Sequence, residues 1–263
     1  MRYELEFEDT FVGQALDRTR WLPYYLPHWS SRATAAAHYR VGDDGLRLLI
    51  EEDQQPWCPE FDGAVRVSSL QTGQFAGPVG STIGQHRFRS DLVVREAQRM
   101  ARLYTPRFGL FEICAKAIAD RRCMVALWMI GYEDQPGQSA EICVCEIFGR
   151  DMTADTATVG MGVHPFGDPG IIDEFAAEVL PIDAREFHTY AAEWTPDYIT
   201  FSVDHQLVKT VEQAPQYPMQ LMLSVYEFPD DQPPGTDPHP YPKEFVVDYV
   251  RGSRLRTGSS ALS

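Results

Sequence analysis

The chain lacks three things that would have directed its reading early. Nowhere do eighteen apolar residues run together, and the start MRYELEFEDT has no apolar stretch behind a basic end. Neither a membrane span nor a signal peptide is therefore visible, and the expectation is an intracellular or a processed secreted protein with no membrane partner. Basic residues are also scarce: 23 Lys and Arg stand against 38 Asp and Glu, a formal charge of −15. Such a surface repels phosphate backbones and anionic lipid, which argues against nucleic acid, whereas a neutral polymer meets no such penalty. Cysteine is the third scarcity. The five residues, Cys58, Cys114, Cys123, Cys143 and Cys145, are odd in number, and several sit in apolar runs where the thiol behaves as a small hydrophobe. No disulfide framework follows, and Cys143-Val-Cys145 has no second pair to complete a zinc site.

What is present is short-period alternation. In 198–204, Ile199, Phe201 and Val203 fall on one face and Thr200, Ser202 and Asp204 on the other, as in a half-buried strand. Similar segments lie near 36–41, 46–52, 87–95, 109–118, 123–131, 140–149, 157–163, 187–194, 207–211, 219–225 and 244–251, separated by turn signals such as Gly-Asp-Asp-Gly. Many short strands predict a sandwich or barrel. One helix is expected at 171–180, where Ile171, Phe175 and Val179 recur every fourth residue before Pro181. No repeat is apparent, so the expectation is one domain over 1–255, with a Pro-rich loop at 229–242 and a frayed tail at 256–263, in a monomer.

The informative stretch is Ser139 to Gly149, which sets Glu141 and Glu146 in an otherwise apolar strand. Removing carboxylates from water costs several kcal/mol each, so such a pair belongs in a wet cleft. A spacing of five sends the two side chains to opposite faces of a regular strand. One extra residue at Val144 or Cys145, a bulge, restores Glu141, Cys143 and Glu146 to one face and turns Ile142 and Ile147 to the core. Two carboxyls about 5–5.5 Å apart form the machinery of retaining glycosidases, one attacking the anomeric carbon and the other shuttling the proton. Taken alone, two Glu at this spacing are usually solvated surface charges.

The segment Glu141-Ile142-Cys143-Val144-Cys145-Glu146 resembles the Glu-[Ile/Leu]-Asp-x-x-Glu signature of glycoside hydrolase family 16, in its bulged, laminarinase-, agarase- and carrageenase-like branch. FGLFEICAKA (108–117) and VALWMIG (125–131) are similar to the family's two preceding strands. EFHTYAAEWTPDYITFSVDHQLV (186–208), YPMQLMLSV (217–225), FVVDYVRG (245–252) and FEDTF (7–11) are similar to further segments in the same order. The resemblance implies an all-β, concanavalin A-like jelly-roll sandwich of two antiparallel sheets. It also implies a retaining endo-glycosidase for a β-linked polysaccharide, with Glu141 as nucleophile and Glu146 as acid/base. Likeness to the bulged branch favours β-1,3-glucan or galactan over xyloglucan, and a β-1,3-glucan or mixed β-glucan is the expected substrate.

The departure is Cys143, which stands at an assisting position where the family has Asp. A neutral thiol is a weak donor and holds Glu141 less firmly. A binding protein without turnover and a transglycosylase therefore remain as alternative readings. Trp128 and His164 correspond to family residues lining the cleft and are expected to bind substrate. Trp194 and His188 are read as structural. Trp21, Trp29 and Trp57 are candidates for outer subsites, Arg87 and Arg122 for sugar contacts, and Glu112 and Lys116 for a surface pair. No cofactor is expected for catalysis, but the resemblance implies a structural calcium with Glu8 or Asp9 and Asp248 among its ligands.

Overall fold

Alternation decides which side of each strand is dry. In Gly109–Lys116 every second residue, Phe111, Ile113 and Ala115 among them, is buried. Ile199–Val203 does the same with Ile199, Phe201 and Val203. In the computed structural model, which describes residues 3–229 and 240–256, these strands belong to an eight-stranded sheet. Its order runs Gln206–Val211, Ile199–Val203, His188–Trp194, Gly109–Lys116, Lys243–Leu255, Gly45–Ile50 and His38–Gly42, and Tyr3–Asp9 also pairs with Lys243–Leu255. The second sheet has six strands in the order Ala176–Leu180, Ala157–His164, Glu141–Phe148, Cys123–Gly131, Met219–Glu227 and Arg66–Gln71. All the pairings are antiparallel, and the fold is the expected jelly-roll sandwich.

The main core lies between the sheets, where Phe111, Ile113, Tyr190, Phe201 and Phe245 meet Leu127, Ile142, Val144, Ile147 and Leu221. A second apolar cluster covers the opposite face of the six-stranded sheet. There Met124, Trp128, Cys143, Met222 and Tyr226 pack under Tyr25, Trp29, Trp57, Leu92 and Val94 from the N-terminal third. Cys123–Gly131 and Met219–Glu227 are therefore buried at every position; the first reads as an unbroken apolar run, while the second carries Gln220, Ser224 and Glu227 among its apolar residues.

Three expectations fail. Residues 171–180 form no helix: Ala176–Leu180 is an edge strand, with Thr158 opposite Val179. The fourfold spacing defines no buried face, since Val179 is 69% exposed, and a segment this short gains more from an open sheet edge than from a nucleated helix. Residues 87–95 are irregular as well. The backbone of Val94 and Arg95 bonds to Ser81 and His28 rather than to a ladder, while Leu92 and Val94 are buried in the second cluster. Conversely, Arg66–Gln71 is a strand the alternation misses, because its buried residues include Ser68, Ser69 and Gln71, each satisfied by hydrogen bonds. The Pro-rich segment 229–242 and the tail 256–263 lie, apart from their ends, outside the described residues.

Candidate active site

The two carboxylates owe their shared face to one irregularity. Along Glu141–Phe148, Leu127 of the neighbouring strand faces Cys145 and Trp128 faces Cys143, so Val144 is the extra residue. The register with Ala157–His164 breaks at the same place. Val144 and Cys145 consequently both enter the inner core, and Glu141, Cys143 and Glu146 emerge together on the outer face. On the adjacent strand these three stand opposite His164, Gly162 and Gly160. Glycine at 160 leaves room: a Cβ there would meet the Phe175 ring at 2.5 Å and approach the Cβ of Glu146 at 3.4 Å.

Glu141 and Glu146 line one cleft of about 560 Å³, walled by Trp128, His164, Tyr25, Tyr226, His86 and Phe166. Glu141 is 8% exposed, and burial pushes its carboxyl up to about 7, against the hydrogen bond from Cys143 and the nearby His164, which pull it down. The Cys143 thiol donates to Glu141 Oε1 over 2.9 Å. Burial and the two glutamates push the thiol well above its usual range, so it stays neutral and acts as a donor. Glu146 is less buried. Its carboxyl is also raised by burial, with His164 and Arg150 pulling the other way.

Trp128 lies at the cleft with its Nε1 donating to Ser224 Oγ at 3.1 Å, and the His86 ring meets it edge-on at 5.1 Å. His164 stacks on Phe175 at 4.7 Å and donates from Nδ1 to Asp173 Oδ2 over 3.2 Å, which lowers the Asp173 carboxyl. The five expected residues, Glu141, Cys143, Glu146, Trp128 and His164, thus meet in one place. Sequence reasoning missed His86, Asp173, Phe166, Tyr25 and Tyr226, which line the same cleft from loops and a neighbouring strand. His86 is buried at φ 51 with its amide on Glu133, and burial followed by repulsion from His164 lowers its imidazole to about 4. Nothing in the periodicity marks such a loop residue.

Other expected residues fall elsewhere. Trp21, Trp29 and Trp57 form no outer subsites: all are buried, and their indole nitrogens donate to Asp9, the Gln85 carbonyl and Asp62. Arg87 donates to the Ser90 carbonyl, and Arg122 pairs with Asp120 and Glu227. Lys116 pairs with Glu186 at 3.7 Å, while Glu112 stands opposite Arg251. His188 is held between Asp204 and the Asp183 carbonyl, and Trp194 is fully buried with Nε1 on the Pro215 carbonyl, both structural as expected. Two of the carboxylates named for calcium have protein partners. Glu8 accepts from Arg251 at 2.7 Å, and Asp9 accepts from the Phe11 amide and Trp21. Among the described residues, no group of three or more His, Cys, Asp or Glu ligands includes them or Asp248.

Comparison with known proteins gives the family and the shared fold. The family model described as glycosyl hydrolases family 16 matches residues 95–250, more than half of the chain. A curated beta-glucanase from Rhodothermus marinus is 27% identical over 171 residues, covering 55% of this chain and 56% of its own length. The chain thus spans little more than half of that relative. Among solved structures, a GlcNAcα1-4Gal-releasing endo-β-galactosidase from Clostridium perfringens is 32% identical with a TM-score of 0.82, over 97% of this chain and 63% of that one. The laminarinase from Rhodothermus marinus has a TM-score of 0.64 at 20% identity, over 96% of this chain and 98% of that one, and shows the shared fold.

Proposed function

Because the chain belongs to glycosyl hydrolases family 16, we propose that it is a retaining endo-glycosidase of a β-linked polysaccharide, with Glu141 as nucleophile and Glu146 as acid/base. The observation that supports this best is the bulge at Val144, which places both carboxylates on the cleft face with a proton donor on one of them. In the first step Glu146 gives its proton to the glycosidic oxygen while the ionised Glu141 attacks the anomeric carbon. The leaving sugar departs, and a glycosyl ester remains on Glu141. In the second step Glu146 takes a proton from water, the water oxygen bonds to the anomeric carbon, and the ester bond breaks. The Cys143 thiol follows the charge: its hydrogen bond to Oε1 weakens as the ester forms and strengthens as the carboxylate returns.

The similarity to the curated beta-glucanase favours a β-1,3-glucan or mixed-linkage glucan. A second reading, a β-galactosidic glycan, is favoured by the 32% identity and TM-score of 0.82 to the endo-β-galactosidase. The test incubates the protein and Glu141→Gln in parallel with laminarin, mixed-linkage glucan, agarose, carrageenan, xyloglucan and a GlcNAcα1-4Gal-capped glycan. Anomeric configuration is followed by proton NMR. Products of retained configuration from the wild type alone establish the activity and name the linkage. Saturable binding without products from either protein overturns it in favour of a carbohydrate-binding protein.

A further inference from the structure

Cys143, unusual at its position, has two neighbours that change what a thiol there can do. We propose that Glu141, Cys143 and His164 form a binding site for a thiophilic divalent cation, Zn²⁺ being the type, and that a bound cation stops hydrolysis by taking the nucleophile's oxygen. The second half rests on Glu141 being the nucleophile; the first half does not. Among the described residues these three are brought together with one ligand atom each, all within 4.8 Å of one another. Cys143 Sγ and Glu141 Oε1 already lie 2.9 Å apart. Zinc bonds of about 2.3 Å to sulfur and about 2.0–2.2 Å to nitrogen and oxygen put tetrahedral ligands roughly 3.3–3.7 Å from one another. The side chains therefore need shifts on the order of an ångström, which rotation about χ angles supplies without moving the strands.

The strand pairing fixes the set. Glu141 and Cys143 are two residues apart on the outer face of one strand, and His164 stands directly opposite Glu141 on the next. A second observation points the same way. The Nδ1 of His164 donates to Asp173, the carboxylate–imidazole relay that orients a histidine and raises the basicity of its other nitrogen toward a metal. The ring is further fixed by its stack on Phe175. Nε2 then serves as the third ligand, and the cleft supplies water for the fourth.

Sulfur sets the cation class. With an oxygen ligand in place of Sγ, the site would offer two carboxylates and an imidazole, a set with little preference for soft ions; a thiolate selects zinc and its thiophilic neighbours. As the S–Zn bond forms, the thiol proton leaves to solvent, so the cation replaces the proton now shared between Sγ and Oε1. With both electron pairs of that contact on the metal, Glu141 can no longer attack an anomeric carbon.

The test titrates Co²⁺, a spectroscopic substitute for Zn²⁺, into the reduced, chelator-free protein and follows near-ultraviolet thiolate-to-cobalt charge transfer. The expected result is a saturable band that Zn²⁺ abolishes and that is absent from Cys143→Ser and Cys143→Asp. Asp173→Asn is expected to weaken the affinity about 10–100-fold, as loss of such a supporting carboxylate does. Product formation by the wild type is expected to fall at the zinc concentrations that displace cobalt and to recover on adding EDTA. Absence of the band, or its persistence in a folded Cys143→Ser protein, overturns the site. Cleavage unaffected by saturating zinc overturns the inhibition while leaving the hydrolase reading intact. A band with no cleavage of any glycan leaves the metal site standing and removes the hydrolase reading instead.

Discussion

The two faces of the strand Glu141–Phe148 are built from neighbouring residues and live in different solvents. Inward, Ile142, Val144, Cys145 and Ile147 join a core made mostly of apolar side chains from the two sheets. Outward, Glu141, Cys143 and Glu146 meet a layer of aromatics that is itself polar at its edges, where Trp29, Trp57 and Trp128 each donate from an indole nitrogen. The inner face tolerates no charge; the outer face holds two carboxylates because a cleft opens between the aromatics. One inserted residue separates these outcomes. Chemistry on a sheet is therefore decided less by the strand than by what covers it.

The largest break in this contrast is expected on the outer face. Glu141→Gln should lower turnover by about four to six orders of magnitude, as loss of a covalent nucleophile does, with an unchanged circular dichroism spectrum. Inside, Ile142→Ala should do the reverse, costing about 2–5 kcal/mol in urea denaturation through the cavity it leaves while turnover per folded molecule is kept. A third test makes one residue report on both. The Glu141 carboxyl is raised from its ordinary range to about 7, so the folded state holds its proton more tightly than the unfolded state does. The stability this contributes is complete below about pH 4.5 and is lost as pH rises toward 7, leaving a buried charge above that. Glu141→Gln, which keeps a neutral acceptor for Cys143, should match the wild type at pH 4 and exceed it by about 1–3 kcal/mol at pH 8, measured as thermal unfolding. Equal stability at both pH values would show that the carboxylate is solvated.

The remaining effects are smaller. As the proposed nucleophile, Glu141 must be ionised to attack, so kcat/KM should rise with pH along a limb near 7. In Cys143→Asp that limb should move to lower pH, because a protonated carboxyl donates a stronger hydrogen bond than a thiol, and an unmoved limb would remove the thiol from any part in tuning Glu141. Trp128→Phe, which surrenders the bond to Ser224, should cost about 0.5–1.5 kcal/mol of stability.

Most strands and the shared face of Glu141 and Glu146 were legible from periodicity, whereas the jelly-roll topology and the expected roles of Trp128 and His164 came from the family resemblance. Period two identifies most strands, and its interruption between Glu141 and Glu146 predicts the bulge where the structure has it. The failures share a cause: each depends on a partner distant in sequence. Ser68 and Ser69 look like turn residues until His38, Gln54 and Ser224 are found beside them. Trp21, Trp29 and Trp57 look like exposed platforms until the N-terminal loops fold onto the sheet. His86 reaches the cleft through a left-handed backbone turn and an amide bond to Glu133, which leave no local pattern. The four-residue rhythm of 171–180 misleads because a vacant sheet edge, not an apolar groove, receives it.

The long strand Lys243–Leu255 sits in the middle of its sheet, paired with Gly109–Lys116 on one side and with Gly45–Ile50 and Tyr3–Asp9 on the other. During synthesis, the strands that flank it leave the ribosome long before it does. Until residue 255 emerges they present unpaired edges that nothing else in the sheet can cap. The six-stranded sheet, whose strands all lie between Arg66 and Glu227, can assemble earlier but has no dry surface to rest on. Folding of this chain is therefore expected to be paced by long-range closure, with its strand edges open until the last strand arrives.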